Sequence, residues 1–234
     1  MASQLHKRKV SQMKLAVFGC SWSYGTNQLS DIEKSPSNWV RCLAKIRPDI
    51  SITNFAFAGT SVQFSTYLFD KYAKEYDYTI FQITSPYRLT SWPEKFDFSK
   101  NLIKYEDNLT QFDNNIYKYI LNLNPSQIDK EPSWKMFHDS RKAINFSKQY
   151  YKYTDSNYLC FEYNMFVEYV AKRANFVFFH KMYNNWGILN NKIWSIQETL
   201  SLQQYQNYLL DDGEHFNQKG CKWQANYIND KYLQ

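Results

Sequence analysis

Glycine and proline are scarce, 6 of each in 234 residues, which excludes collagen-like repeats and Gly/Ser linkers. Cysteine is scarce too: Cys20, Cys42, Cys160 and Cys221 form no C-x-x-C pair and no cluster with zinc-ligand spacing. They read as free thiols of a reducing compartment, and neither a metal nor a cofactor is expected. No apolar run reaches the ~18 residues that a membrane span needs. The basic residues before Val10 are followed by no apolar h-region, so a secretory signal is not expected. A cytoplasmic, or virus-encoded, protein is the expectation. Neither sign of charge dominates, with Lys+Arg at 28 against Asp+Glu at 22 and a net charge of +6. The only dense basic cluster is His6-Lys7-Arg8-Lys9. It reads as a solvated tail, and nucleic acid, which favours a basic stripe, is not an expected partner. No repeat of fixed period is visible.

What is abundant is apolar and aromatic. Hydrophobic residues make up 44% and aromatics 19%, with 20 Tyr, 17 Phe and 7 Trp, so the chain can bury a sizeable core. Lys, Asn, Tyr, Phe and Ile are all frequent, as AT-rich coding would produce, which limits the functional weight of the aromatics.

The elements alternate. Met13–Phe18 reads as a buried parallel strand ending at Gly19-Cys20-Ser21. A helix is predicted over Pro36–Ile46, capped by Ser35. A second strand is predicted over Ser51–Phe55, then a helix from Thr60 as cap to about Tyr76, then a third strand over Asp77–Ile83. Strand–helix alternation predicts βαβ units and a parallel sheet, in one domain over 1–234. The next strand expected is Asn175–His180. Between them, residues 89–174 are expected to form a large, mainly helical insertion or lid, with helices over Asp113–Leu123 and Asp139–Ala174, the latter broken near Thr154–Asn157. A last helix is expected over Gln218–Tyr232.

In open α/β sheets, ligands bind outside the carboxyl ends of the strands. Those ends here carry Ser21, Asn54 with Gly59, and Thr84-Ser85, and a late loop adds Asp212 and His215. A serine hydroxyl needs an adjacent base, and a histidine base needs a partner for its tautomer. Asp212 and His215 are spaced to supply both. The backbone N–H groups of Ser21 and Gly59 are candidate donors for a tetrahedral oxyanion. Each feature has a plainer reading: Ser21 as a turn serine, Asp212 and His215 as a capping pair before the last helix, Gly59 as a helix-start glycine. His180 reads as a strand-end histidine. His138-Asp139-Ser140 cannot assemble a triad from adjacent residues, and Cys20 reads as a buried thiol. Trp92, Trp134, Trp186 and Trp194 read as packing residues, with a sugar- or acyl-contacting lid as the alternative.

Gly19-Cys20-Ser21-Trp22-Ser23-Tyr24-Gly25 resembles the first block of the SGNH (GDSL-type) hydrolases, G-D-S-x-[ST]-x-G. Asn54 with Gly59 is similar to the second block, and Asp212-x-x-His215 to the last. The resemblance covers the first 86 residues and roughly the last 60. It implies a flavodoxin-like three-layer α/β/α sandwich and a Ser-His-Asp triad of Ser21, His215 and Asp212. It also implies hydrolysis of an ester, such as an O-acyl or O-acetyl group on a carbohydrate or small molecule. The sequence departs from the pattern twice. Cys20 replaces the acidic residue of the first block. Pro86 stands near the position of the third-block Asn, an oxyanion donor, where Thr84, Ser85 or Arg88 could substitute, or Arg88 could fix an anionic substrate. That departure motivates the alternative of a catalytically degraded binding or structural module, phage-associated.

Overall fold

The computed structural model describes residues 12–25, 38–86, 88–123, 149–150, 152, 154–179, 193–210 and 215–234. In chain order it begins with β1 (Met13–Phe18), α1 (Ser21–Tyr24), α2 (Trp39–Ile46), β2 (Ile50–Asn54), α3 (Val62–Tyr72) and β3 (Tyr78–Ile83). Short strands β4 (Leu89–Ser91), β5 (Leu102–Lys104), β6 (Leu109–Phe112) and β7 (Leu121–Leu123) follow. Then come α4 (Ser156–Ala171), β8 (Phe176–Phe179), β9 (Trp194–Ser195), α5 (Ile196–Thr199), α6 (Leu202–Tyr208) and α7 (Gln218–Tyr232).

Seven strands make one sheet in the order β5-β6-β2-β1-β3-β8-β9, parallel except for β5. The run β2-β1-β3-β8-β9 is the flavodoxin-like order, with β6 and β5 added beyond β2. The chain leaves β1 for β2 on one side and returns to β3 on the other. A crevice therefore opens at the carboxyl ends of β1 and β3, where such sheets bind ligands.

The strand period of two splits the apolar residues between two cores. Ala16 and Phe18 face α3 and α4, with Leu68, Tyr163 and Val167 among their neighbours. Leu15 and Val17 face α2 and α7, with Trp39, Leu43, Ala225 and Ile228. Layers on both faces explain why β1 runs apolar over four consecutive buried residues, Leu15 to Phe18, rather than alternating. The α3/α4 side is built on rings: Phe55 stacks on Phe18 at 5.1 Å and on Tyr72 at 5.0 Å. Burying one such ring contributes about 1.5–3 kcal/mol.

Several local expectations are corrected. Asn38 caps α2, its Oδ1 accepting from Arg41 N at 2.6 Å, and α2 starts at Trp39; Ser35 and Pro36 lie outside the described residues. Ser61 rather than Thr60 caps α3. In its described part the stretch 89–174 carries short strands beside its helical segments, which the sequence reading did not include. It holds four strands, of which β5 and β6 extend the main sheet, while β4 pairs antiparallel with β7. Asp113–Leu123 is not a helix: Asp113 accepts from Asn115 N at 3.0 Å, which closes a 3₁₀ turn over Asn114–Lys118, and β7 follows. Side chains of Asp and Asn compete with helical backbone bonding in this way. The long helix does break where expected, with Asp155 capping α4. Trp92 packs on Phe64 and Tyr67, and Trp194 on Tyr227, so both serve packing. Trp134, Trp186, His138 and His180 lie outside the described residues, as does the basic tail.

Candidate active site

The turn after β1 is held by groups from three directions. Gly19 has φ +156°, and a Cβ there would stand 2.8 Å from Gln82 Oε1 and 2.9 Å from Gln82 Cβ. Only glycine allows the turn to lie this close to β3. The Gly19 carbonyl accepts from Phe57 N–H, Thr60 Oγ1 and Ser65 Oγ, each at 3.2 Å. Gln82 Oε1 accepts from Cys20 N–H at 3.4 Å and from Ser23 Oγ at 2.9 Å, and its Nε2 donates to Cys20 Sγ at 3.3 Å. Asn54 Nδ2 donates to Ser23 O at 2.7 Å and to Gln111 Oε1 at 3.2 Å. Asn54 therefore braces the turn from below.

Ser21 opens α1 and is 6% exposed. Its Oγ lies 3.0 Å from Nε2 of His215, 194 positions later. When Nδ1 carries the ring proton, Nε2 accepts from the Ser21 hydroxyl. His215 is delivered by a small clasp. Leu209 and Phe216 form an antiparallel bridge, and Leu210 N–H donates to His215 O at 2.7 Å. Asn217 caps α7, accepting from Lys219 N and Gly220 N, and its Nδ2 donates to Asn207 O and Leu209 O. The Trp22 ring lies 5.1 Å from the imidazole, tilted by 30°, and meets Phe216 edge-on at 6.0 Å. Asp212 lies outside the described residues.

At the end of β3, Thr84 is buried. Its Oγ1 accepts from Arg88 Nη1 at 3.0 Å, and its carbonyl accepts from the Tyr163 hydroxyl of α4 at 3.0 Å. Ser85 and Arg88 are half-buried and Pro86 is buried. Gly59 is half-buried with φ +76°, a left-handed conformation that favours glycine. Cys20 is fully buried, which raises its pKa. The Arg88 charge, with hydrogen bonds from Thr84, the Trp22 backbone and Gln82, outweighs that burial and holds the thiol below its ordinary value.

Among the described residues, no group of three or more His, Cys, Asp or Glu side chains could hold a metal ion, and no helix is long and apolar enough to cross a membrane. The arrangement offers a hydroxyl beside an imidazole, in a crevice flanked by a cation. Sequence reasoning missed Gln82, Gln111 and Tyr163. Gln82 carried a readable signal, a lone amide in the apolar run Ile80-Phe81-Gln82-Ile83.

No family model matches the chain, and no curated protein matches it either. Solved structures that resemble it include a lipase/acylhydrolase from Enterococcus faecalis, with 12% identity over 94% of both chains and a TM-score of 0.42. Another is a G-D-S-L family protein from Desulfitobacterium hafniense DCB-2, with 11% identity over 93% of this chain and 98% of that one and a TM-score of 0.34. Likenesses this remote assign no role to any residue.

Proposed function

We propose that this protein is a serine hydrolase of the SGNH type that cleaves an ester through Ser21, His215 and Asp212. The observation that carries the reading is the 3.0 Å approach of Ser21 Oγ to His215 Nε2 at the β1/β3 crevice. A serine that merely turned the chain, or a histidine that merely preceded a helix, would not require the other.

In this mechanism His215 Nε2 takes the hydroxyl proton as Ser21 Oγ attacks the ester carbonyl. The N–H groups of Ser21 and Gly59 hold the oxyanion, with Thr84, Ser85 or Arg88 in place of the absent Asn. Collapse breaks the bond to the alcohol, which leaves with the proton from His215. Water, deprotonated by His215, then attacks the acyl-serine, and the acid departs as Ser21 regains its proton. Asp212 orients the imidazole. A short O-acyl group such as acetyl, on a small molecule or carbohydrate, suits this chemistry, and no cofactor takes part.

The test is release of 4-nitrophenol from 4-nitrophenyl acetate. Ser21→Ala is expected to lower kcat by about 10⁴–10⁶-fold, and a fluorophosphonate should modify Ser21, located by mass spectrometry. Equal activity in the variant overturns the mechanism. The second reading, a degraded module of phage-like type that binds without turnover, is favoured by Pro86 near the place of the third-block Asn. It expects neither turnover nor labelling.

A further inference from the structure

We infer that Arg88 makes this site selective for esters whose acyl group carries an anion, such as a half-ester of a short dicarboxylic acid; the inference rests on the hydrolase reading above. The starting point is a charge without a described counterpart. The ion pairs among the described residues use Arg41, Arg47, Lys100 and Lys172, and none uses Arg88. Yet Arg88 is half-buried, at the sheet end that bears Ser21. A guanidinium presents five N–H donors in a planar fork, and the described protein bond from its side chain is the one to Thr84 Oγ1. Removing such a group from water is costly unless an anion meets it, and a carboxylate fits the fork with two parallel bonds.

Direction selects the acyl side. His215 reaches Ser21 from the α2/α7 layer, where Phe216 and Trp22 pack. The leaving alcohol must lie there, because His215 returns the proton to it. Thr84 and Arg88 belong to the turn after β3, which is tied to the opposite layer through Tyr163 of α4. An ester laid across Ser21 with its alcohol toward His215 thus points its acyl chain toward Arg88. The neighbouring Cys20 thiol also feels the guanidinium, so a purely structural role toward that thiol is the competing account.

The experiment compares kcat/KM for 4-nitrophenyl hemisuccinate and 4-nitrophenyl acetate, each corrected for spontaneous hydrolysis. Wild type should favour the hemisuccinate, and added salt should weaken the preference. Arg88→Gln should lower the hemisuccinate-to-acetate ratio by about 30-fold or more, a scale set by loss of a charge-assisted bidentate pair. Arg88→Lys should keep part of the ratio, and Cys20→Ala, which retains the guanidinium, should keep most of it. A wild type that favours the acetate overturns the inference. So does Arg88→Gln that slows both esters equally, or Cys20→Ala that collapses the ratio as Arg88→Gln does. Those results, with Ser21 still labelled by fluorophosphonate, leave the hydrolase reading standing. Failure to cleave either ester together with failure to label Ser21 removes both.

Discussion

The two arms that meet at the candidate site are built in opposite ways. The Ser21 arm is part of the sheet: its turn is gripped by Gln82 of β3, braced by Asn54 of β2, and its Gly19 carbonyl is met by three donors. The His215 arm is a short clasp, one antiparallel bridge and one capping asparagine, on the far end of the chain. The proposed nucleophile is thus fixed by groups that also hold the core together, whereas the proposed base is brought to it by local backbone pairing. Loss of stability and loss of activity should separate along this line.

The sharpest separation comes from His215→Ala. It removes the proposed proton acceptor and should lower kcat on 4-nitrophenyl acetate by about 10⁴–10⁶-fold. Its thermal midpoint, followed by circular dichroism, should move less than that of any variant in the Ser21 arm. A His215→Ala protein that unfolds many degrees lower, or that retains turnover, would break the comparison.

Gln82→Leu is the complementary change. It keeps the side chain's bulk but strips Cys20 N–H of its described side-chain partner and Ser23 Oγ of an acceptor, all of them buried. Each buried polar group left unsatisfied costs about 1–3 kcal/mol. A loss of about 2–5 kcal/mol should lower the midpoint by about 5–15 °C in a chain of this size. Turnover should fall as well, because the turn that carries Ser21 loses its anchor on β3.

The same contrast governs what could be read in the sequence. β1, β3 and β8 were legible as short, largely apolar runs, as strands buried on both faces are, β2 as a short β-branched segment, and the small residues after β1 marked its end. The alternation of strands and helices pointed to the carboxyl ends of the strands as the place of the site, while the crevice between β1 and β3 is visible only in the strand order of the folded sheet. β6 was not legible: Leu109-Thr110-Gln111-Phe112 is four residues long, and its partner β2 lies far back in the chain. Asn108, at φ +54° between β5 and β6, was the available turn signal. Asp113–Leu123 misled because Ile116 and Ile120, both buried, are spaced as on a helix face, while the Asp113 side chain closes a tighter turn. Ser21 and His215 were singled out from the sequence by their resemblance to motif blocks, and the fold brings them within 3.0 Å of each other. Gln82 was legible only as a lone amide in an apolar strand; its grip on the turn depends on the close approach of Gly19, which lies 63 positions back in the chain and leaves no local mark. Asp212 was proposed from its spacing to His215 and lies outside the described residues.

The smallest expected effect contrasts two buried thiols, one in each region. At Cys20, burial raises the pKa, but Arg88 and three hydrogen-bonding groups more than offset it, and the folded value falls below the ordinary 9.0. At Cys221 in α7, burial dominates, helped by Cys42, and the folded value is pushed up to about 12. The linkage signs are therefore opposite. Between its depressed folded value and 9.0, Cys20 holds more protons unfolded than folded, so its contribution to stability rises with pH and is lost as pH falls through the folded value. Cys221 holds more protons folded than unfolded between 9.0 and about 12, so its contribution is present below 9.0 and is lost as pH climbs toward 12. Neither slope can exceed about 1.4 kcal/mol per pH unit. Urea unfolding of Cys20→Ala and Cys221→Ala at pH 7.5 and pH 10 reads the difference. Relative to wild type, Cys20→Ala should become more destabilising at the higher pH and Cys221→Ala less so. Slopes of the same sign would mean that burial at Cys20 outweighs Arg88 and the hydrogen-bonding groups around the thiol, and the two buried cysteines would no longer be opposites.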